Sequence, residues 1–570
     1  MYRRFSTYLI FGGAGLVGMA TARRICRHLQ PERMVIASLL QSEADAAVAE
    51  LAAEWPDVEW VPASGNLFVP SEYAYMSRGE LLGDAARRKD MLDFIFGDFE
   101  RAYERNHMAE LIREHNPDAI VDCVNTATGI SYQDVWESTA SLRDDLGHVE
   151  QGDVPGHFGS DLQTSLLSQA TPQIIRHVRF LHRSTTEANT AIYVKVGTTG
   201  TGGMGLNIPY THSEDKPSKT LLAKNAVAFA HTGLLFLLAR TPGAPIVKEV
   251  KPAAMIGYKG VEVRRIPKRG GGFVPLYQPS TVDAGALTEL ATRLPDGEFE
   301  TAGGDLEITV VNTGENGLFA MGEFGAITAL QQMEFVTPEE IAHRIVMELW
   351  GGNTGNDIIA ALDGSIITPS YRAGQLRYVA MKDLQRLERE HGRPSIALGD
   401  LGPPELSKLL FEAWFIGEAY GTRVLGCVED EDGDDRPPEE VAERLAKVAQ
   451  GSEVANQAIS IGIPILLPDG KTLLRGPVIK VPEIKGRKKV APIDDAGSLD
   501  KWARRGWIDL RPANVAVWQG RFRKMEAARA ELTRKGSAGV TRETYLPVGL
   551  KIGDVVAWVF NNEMGGGRIK

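Results

Sequence analysis

The first third of the chain alternates short apolar runs with stretches whose apolar residues recur every three or four positions. That rhythm predicts buried strands joined by amphipathic helices, as in a parallel sheet built from βαβ units. Tyr8-Leu9-Ile10-Phe11 reads as the first strand and Leu16 to Leu29 as the helix after it. Met34 to Ala37, Val58 to Pro62, Ala119 to Val124, Ala191 to Val196 and Ile246 to Val250 supply five more strands. Leu306 to Val311 is expected as a seventh. Helical periodicity fills Glu43 to Glu54 and Phe99 to His115. Residues 70–88 and 129–161 are longer than ordinary helix–strand connections and are expected to be insertions carrying short helices.

After residue 330 the pattern turns helical. Thr337-Pro338-Glu339-Glu340 combines an N-cap, a first-turn proline and a capping-box glutamate, and a second helix starts near Pro437-Pro438-Glu439-Glu440. Pro468-Asp469-Gly470-Lys471 between two apolar runs predicts a hairpin. The fold class expected is α/β: a doubly wound parallel sheet of Rossmann type, followed by a large, mainly helical C-terminal region containing β-hairpins.

Composition narrows the function classes. At 570 residues the chain is long enough for several domains of ~150 residues. Sixty-three basic against seventy-four acidic residues leave a net charge of −11, without the basic face of a nucleic-acid binder. The longest apolar stretch, Val227 to Ala239, contains His231 and is short of a membrane span, and the N-terminus lacks a signal-peptide pattern. Three scattered cysteines, Cys26, Cys123 and Cys427, offer no disulfide framework or paired zinc ligands. A cytoplasmic protein with no nucleic-acid or membrane partner is expected. Apolar helical stretches such as Leu409 to Ile416 need a covering surface, and a homo-oligomer is expected on that ground.

The most informative motif is Phe11-Gly12-Gly13-Ala14-Gly15-Leu16-Val17-Gly18, between the first strand and the first helix. Gly12 and Gly15 allow the backbone to approach a pyrophosphate, the helix N-terminus supplies N–H groups, and Gly18 permits close helix–strand packing. No Lys-Ser/Thr follows, which excludes a P-loop.

The spacing Gly12-x-x-Gly15-x-x-Gly18 resembles the short-chain dehydrogenase/reductase superfamily, in its extended, epimerase-like branch. Gly65-Asn66-Leu67 is similar to that family's adenine-contacting pair, and Asn125-Thr126-Ala127 to its turn beside the cofactor. Gly197-Thr198-Thr199-Gly200 resembles the segment bearing the catalytic hydroxyl, and Val250-Lys251-Pro252-Ala253 the proline turn near the nicotinamide. Ile208-Pro209-Tyr210-Thr211 and Glu214-Asp215 match the loop between them. The resemblance covers roughly residues 5–260, and reaches 320 at its widest; a dinucleotide-binding domain is expected over residues 1–330, with 331–570 as a cap or oligomerisation region. It implies cofactor contacts from Gly12, Gly15, Leu16, Val17, Gly18, Ser38, Asn66, Leu67, Asn125, Ala127, Lys224 and Pro252. Thr198, Thr199, Lys224 and Tyr210 are its candidate catalytic residues.

One departure stands out. The family's chemistry rests on Tyr-x-x-x-Lys, but four residues before Lys224 stands Thr220, whose hydroxyl cannot ionise near neutral pH. The register Asp215 to Lys219 also lacks tyrosine. Three alternatives remain open: a phenol from Tyr210 or Tyr193; a group from an insertion or loop, such as His157, Tyr132 or His212; or a domain that binds dinucleotide without carbonyl reduction. At the end of the second strand Ser38-Leu39-Leu40-Gln41 replaces the usual acid, Glu43 being the first carboxylate. With Arg23 or Arg24 near, this favours NADP, with NAD as the alternative.

Other constellations are less specific. Lys259, Arg264, Arg265, Lys268 and Arg269, before Gly270-Gly271-Gly272, offer either a clamp for a substrate phosphate or carboxylate or a solvated loop. Gly200 to Gly205 reads as an anion-binding loop or a hinge. The eleven histidines show no metal-ligand spacing, so no metal is expected, and Glu429 to Asp435 reads as a solvated connection. The function expected is an NAD(P)-dependent oxidoreductase or epimerase/dehydratase-type enzyme. It would move hydride between nicotinamide and a carbonyl or carbinol carbon of a polar metabolite. The alternative is a dinucleotide-binding sensor or scaffold that has lost the chemistry.

Overall fold

The computed structural model describes residues 5–126, 135–197, 219–252, 255–268, 271–314, 317–329, 332, 336–352, 371–400, 403–482, 490–493, 496–535 and 549–563. They divide into two compact units. The first takes the described residues up to 197, then 219–252, 255–257 and 336–352; the second takes the rest.

The first unit is built on six parallel strands: Thr7–Phe11 (β1), Arg33–Ser38 (β2), Glu59–Ser64 (β3), Ala119–Asp122 (β4), Ile192–Val196 (β5) and Ile246–Val250 (β6). Their order is β3-β2-β1-β4-β5-β6, the doubly wound arrangement with its switch point between β1 and β4. The alternation of β1 distributes its side chains to two cores. Tyr8 and Ile10 pack on one face with Leu16–Leu29 (α1), and Leu9 and Phe11 on the other. Gln41–Glu54 (α2) joins the α1 side. The other face carries Arg78–Gly83 (α3), Ala85–Phe96 (α4), Phe99–Arg105 (α5) and His107–His115 (α6). The helical stretch expected over Phe99 to His115 is thus two helices, broken at Asn106, whose side chain caps the second by accepting from Ala109 N–H.

The insertion between β4 and β5 forms Val135–Glu150 (α7) and Phe158–Leu167 (α8), then Ala170–Glu187 (α9). Lys219–Leu238 (α10) follows β5, and Leu235 and Leu238 enter the same core as Val178 and Leu181 of α9. The helix Pro338–Leu349 has the expected capping box, with the Thr337 side chain accepting from Glu340 N–H. It lies in the first unit: Ile341, Ile345, Val346 and Leu349 pack with Val17, Ile25 and Leu29 of α1. A division at residue 330 therefore does not follow the packing.

The segment expected as a seventh parallel strand, Leu306 to Val311, is corrected by the structure. Glu307–Asn312 is a strand of the second unit, antiparallel to Gly260–Arg265 and Leu318–Ala320. A strand's apolar run reports its burial but not the sheet that buries it. The second unit also holds the expected hairpin, Ile465–Leu466 against Thr472–Arg475. Asp469 Oδ1 accepts from Lys471 and Thr472 N–H groups in its turn. The helix Pro404–Tyr420 buries Leu409, Leu410, Phe411, Phe415 and Ile416 within the unit, so this apolar stretch is covered by its own chain. On the same helix Lys408 and Glu412 pair, while Glu412 accepts from Trp518 Nε1 and Asp509 N–H, both at 2.8 Å. Among the described residues no helix is long and apolar enough to cross a membrane.

Candidate functional site

The glycine turn forms at the C-terminal end of β1, where α/β sheets bind ligands. Gly12 has φ +69°, the left-handed region that glycine reaches without strain. Gly13 N–H donates to Ala37 O of β2 at 2.8 Å, and Gly15 N–H to Gly12 O at 3.1 Å, closing the turn. A Cβ on Gly18 would stand 2.4 Å from Gly12 O, so α1 can approach the turn only with glycine there. Gly15 differs. It is exposed at the N-cap of α1, and a Cβ would meet only Gly12 O, at 3.2 Å. The first turn of α1 contains no acid, and its early N–H groups have no partner within the helix. These features fit a pyrophosphate: an open approach over Gly15, helix-end donors from Leu16, Val17 and Gly18, and no opposing charge in that turn.

The end of β2 carries the next expected contact. Ser38 Oγ donates to Glu43 Oε2 at 2.8 Å, so a carboxylate stands beside the strand end despite its absence from the strand itself. Arg23 is held by Glu50 and Glu54, and Arg24 lies 2.9 Å from His343 Nδ1, so both arginines are engaged elsewhere. After β3, Gly65 has φ +125° and a Cβ there would strike His107 Nε2 at 2.3 Å. Asn66 Oδ1 accepts from Phe68 N–H, fixing the turn. Leu67 points into the core and lines a small cavity with Phe68, Asn106, Arg176 and His177.

The charged core at the ends of β4, β5 and β6 was not anticipated from the sequence. Register places Asp122, Lys195 and Glu249 side by side across the three strands. Lys195 Nζ lies 2.9 Å from Asp122 Oδ1, both side chains being only 2–3% exposed. Tyr193 donates its hydroxyl to Asp122 Oδ2 at 2.6 Å. Asp122 Oδ1 also accepts Val124 N–H at 2.9 Å, and Lys195 donates to Val124 O at 2.5 Å. The backbone after β4 is thus gripped on both sides, and the same segment meets the glycine turn: a Gly12 Cβ would lie 3.2 Å from Cys123 C. Asn125, expected beside the cofactor, sits on this clamped turn, and the Thr126 hydroxyl after it is buried without a partner among the described residues.

Burial, with the Asp122 charge next in weight, raises Tyr193 well above its ordinary pKa. The Tyr193 side chain is fully buried and its hydroxyl is committed to Asp122. His177 and His231 pack edge to face, 5.9 Å apart, on the same side of the sheet. Burial pulls His177 down to about 4 and His231 well below its ordinary value. Lys251, 3.3 Å from Glu249, and Lys224 on α10 are both lowered by burial. Pro252 is buried just beyond β6. His157, the other described candidate for the proton, lies in the α7–α8 insertion, 3.0 Å from Asp145. Ala127, Thr198, Thr199 and Tyr210, with Tyr132 and His212, lie outside the described residues.

A signal for the charged core did exist. Asp122, Lys195 and Glu249 each occupy the fourth position of their strands, and Asp122 and Lys195 interrupt otherwise apolar runs. A charge in a buried strand requires a partner.

The sheet order and glycine turn define the first unit as a doubly wound domain of the dinucleotide-binding type. The family model described as beta-methylindole-3-pyruvate reductase C-terminal domain matches residues 278–564, half of the chain. The chain belongs to that family. Among curated proteins none matches it. Solved structures similar to it include Pen from Bacillus thuringiensis, at 10% identity over 46% of this chain and 55% of that one, with a TM-score of 0.23. The UDP-Glc/GlcNAc 4-epimerase of Campylobacter jejuni is similar at 14% identity over 43% and 53%, TM-score 0.22. The short-chain dehydrogenase from Sphingobium yanoikuyae, solved with NADPH, is similar at 16% identity over 44% and 72%, TM-score 0.23. The chain thus spans about half the length of the first two.

Proposed function

We propose that the protein is a nicotinamide-dinucleotide-dependent reductase of a 2-oxo acid bearing an aromatic side chain. The observation that carries the dinucleotide is the glycine turn, closed to side chains at Gly18 and open at Gly15. The 2-oxo acid comes from the family's name, since the pyruvate portion of beta-methylindole-3-pyruvate contains a ketone next to a carboxylate. A reduced nicotinamide held at this site would supply a hydride to the ketone carbon, whose oxygen would take a proton to give a 2-hydroxy acid.

In this reading Lys224 holds the ribose, Thr198 or Thr199 orients the ketone oxygen, and Asn125 and Pro252 flank the nicotinamide. Lys251, a cation whose pKa burial lowers, is suited to the substrate carboxylate or to the proton. Asp122 and Lys195 act as positioning residues through the Val124 backbone. Glu43 beside Ser38 favours NAD over NADP, because a carboxylate binds ribose hydroxyls and repels a 2′-phosphate.

The test uses the full chain, NADH or NADPH, and indole-3-pyruvate with and without its β-methyl group. Consumption of reduced nicotinamide with formation of the 2-hydroxy acid is expected. Tight dinucleotide binding with no turnover on any aromatic 2-oxo acid would favour the sensor or scaffold reading. Failure of both dinucleotides to bind would overturn the assignment of the turn.

A further inference from the structure

The insertion between β4 and β5 holds a second cluster with chemistry of its own. In α7, Ser141 and Asp145 are four residues apart and so share one face; in α8, His157 at the N-cap and Asp161 are likewise four apart. The two helices pack so that one ligand atom each from Asp145, His157 and Asp161 lie within 4.8 Å of one another. His157 Nε2 is 3.0 Å from Asp145 Oδ1. Atoms bound ~2.1 Å from a common ion stand about 3.0–4.2 Å apart, so a small closure seats all three.

Two observations separate this cluster from a surface ion pair. Asp145 is 5% exposed, and its Oδ2 is buried with no hydrogen-bond partner among the described residues, although a buried carboxylate oxygen needs one. Ser141 Oγ donates to Asp161 Oδ2 at 2.6 Å, orienting that carboxylate as outer partners orient metal ligands.

We propose that Asp145, His157 and Asp161 bind a divalent transition ion of the zinc or manganese class. One imidazole with two carboxylates suits such an ion, and water would complete the coordination. The ion pins α7 to α8. The hairpin needs such a pin, because Trp136, Leu146, Val154, Leu162 and Leu166 are all exposed and leave it little apolar core.

The test is calorimetric titration of the chelator-stripped full chain with Zn2+, together with the visible absorption of bound Co2+. One high-affinity site per chain is expected, with a raised thermal midpoint. His157→Ala should weaken Zn2+ binding at least tenfold and abolish the Co2+ spectrum. His157 is largely exposed, so this variant folds. Asp145→Asn should do the same, and Ser141→Ala should have a smaller effect. No Zn2+ binding, or binding unchanged in His157→Ala, would overturn the site and leave His157 and Asp145 as a simple ion pair.

Discussion

Lys195 on β5 and Asp122 on β4 face one another at 2.9 Å inside the sheet, and between them they hold both backbone groups of Val124. Removing one member of a buried pair strands the other charge, at a cost of roughly 3–5 kcal/mol. Lys195→Met is therefore expected to lower stability by about that amount and to loosen the turn carrying Asn125, weakening dinucleotide binding. The double variant Lys195→Met, Asp122→Leu should regain much of the stability without regaining affinity. Denaturant unfolding and NADH titration on both variants separate the two effects. Full affinity in the double variant would mean that the pair serves the core alone.

Gly15 and Gly18 should respond in opposite ways. Gly15 has φ −75° and ψ 167°, a conformation open to any residue, and aspartate is a favourable N-cap. Gly15→Asp should keep or slightly raise stability, by a few tenths of a kcal/mol, while its carboxylate excludes the pyrophosphate. Gly18→Ala brings a methyl group against Gly12 O and should cost stability by about 1–3 kcal/mol. Thermal unfolding and nucleotide binding, measured side by side, check both. Unchanged affinity in Gly15→Asp would remove the turn from the site.

Glu43 sets the expected cofactor preference. NADH should bind at least tenfold more tightly than NADPH, about 1.4 kcal/mol. Glu43→Gln should narrow the gap mostly by improving NADPH binding. A wild-type preference for NADPH would mean that a cation from outside the described residues outweighs this carboxylate.

Lys224 is half-buried, and burial lowers its pKa. Its ammonium form is lost as pH rises through a value below the ordinary 10.5. If it holds the ribose, dinucleotide affinity should decline on the alkaline side before that value, and Lys224→Ala should weaken binding about tenfold at pH 7. An identical alkaline decline in Lys224→Ala would assign the titration to another group.

The strands and their parallel pairing were legible because apolar runs with helical spacers are local properties of the chain. The glycine turn was legible because its chemistry lies in eight consecutive residues. What could not be read was anything created by register. Asp122, Lys195 and Glu249 are separated by more than fifty residues, and only strand pairing brings them together. The helix Pro338–Leu349 shows the same limit: its cap is written in Thr337 and Glu340, but its partner, α1, is three hundred residues earlier. His157 and Asp145 meet only because α7 and α8 pack, and no ligand spacing within one helix announces them.

The two units should also respond oppositely to pH. In the first, buried His177 takes up a proton only near pH 4, while an unfolded histidine does so near 6.5. Between these values the unfolded state binds more protons, so stability rises with pH across this window and levels off above it. The effect is up to roughly 3 kcal/mol for His177, at about 1.4 kcal/mol per pH unit, and His231 adds to it in the same direction. Asp122 opposes this shift at His177 while Lys195 reinforces it; Lys195 and Lys251 reinforce it at His231. In the second unit, burial raises Glu323 to about 7, against the pull of N–H donors from Ala320, Leu398 and Gly399. Here the folded state binds more protons between about 4.5 and 7, so the contribution of Glu323 is complete below that window and lost as pH rises through it. Hydrogen exchange read on β5 and on the 396–400 segment, corrected for intrinsic rates at pH 5 and 6.5, should show protection rising in the first and falling in the second. His177→Phe should flatten the first slope and Glu323→Gln the second. Parallel slopes in the two segments, or slopes indifferent to these variants, would show that other groups govern the acid response.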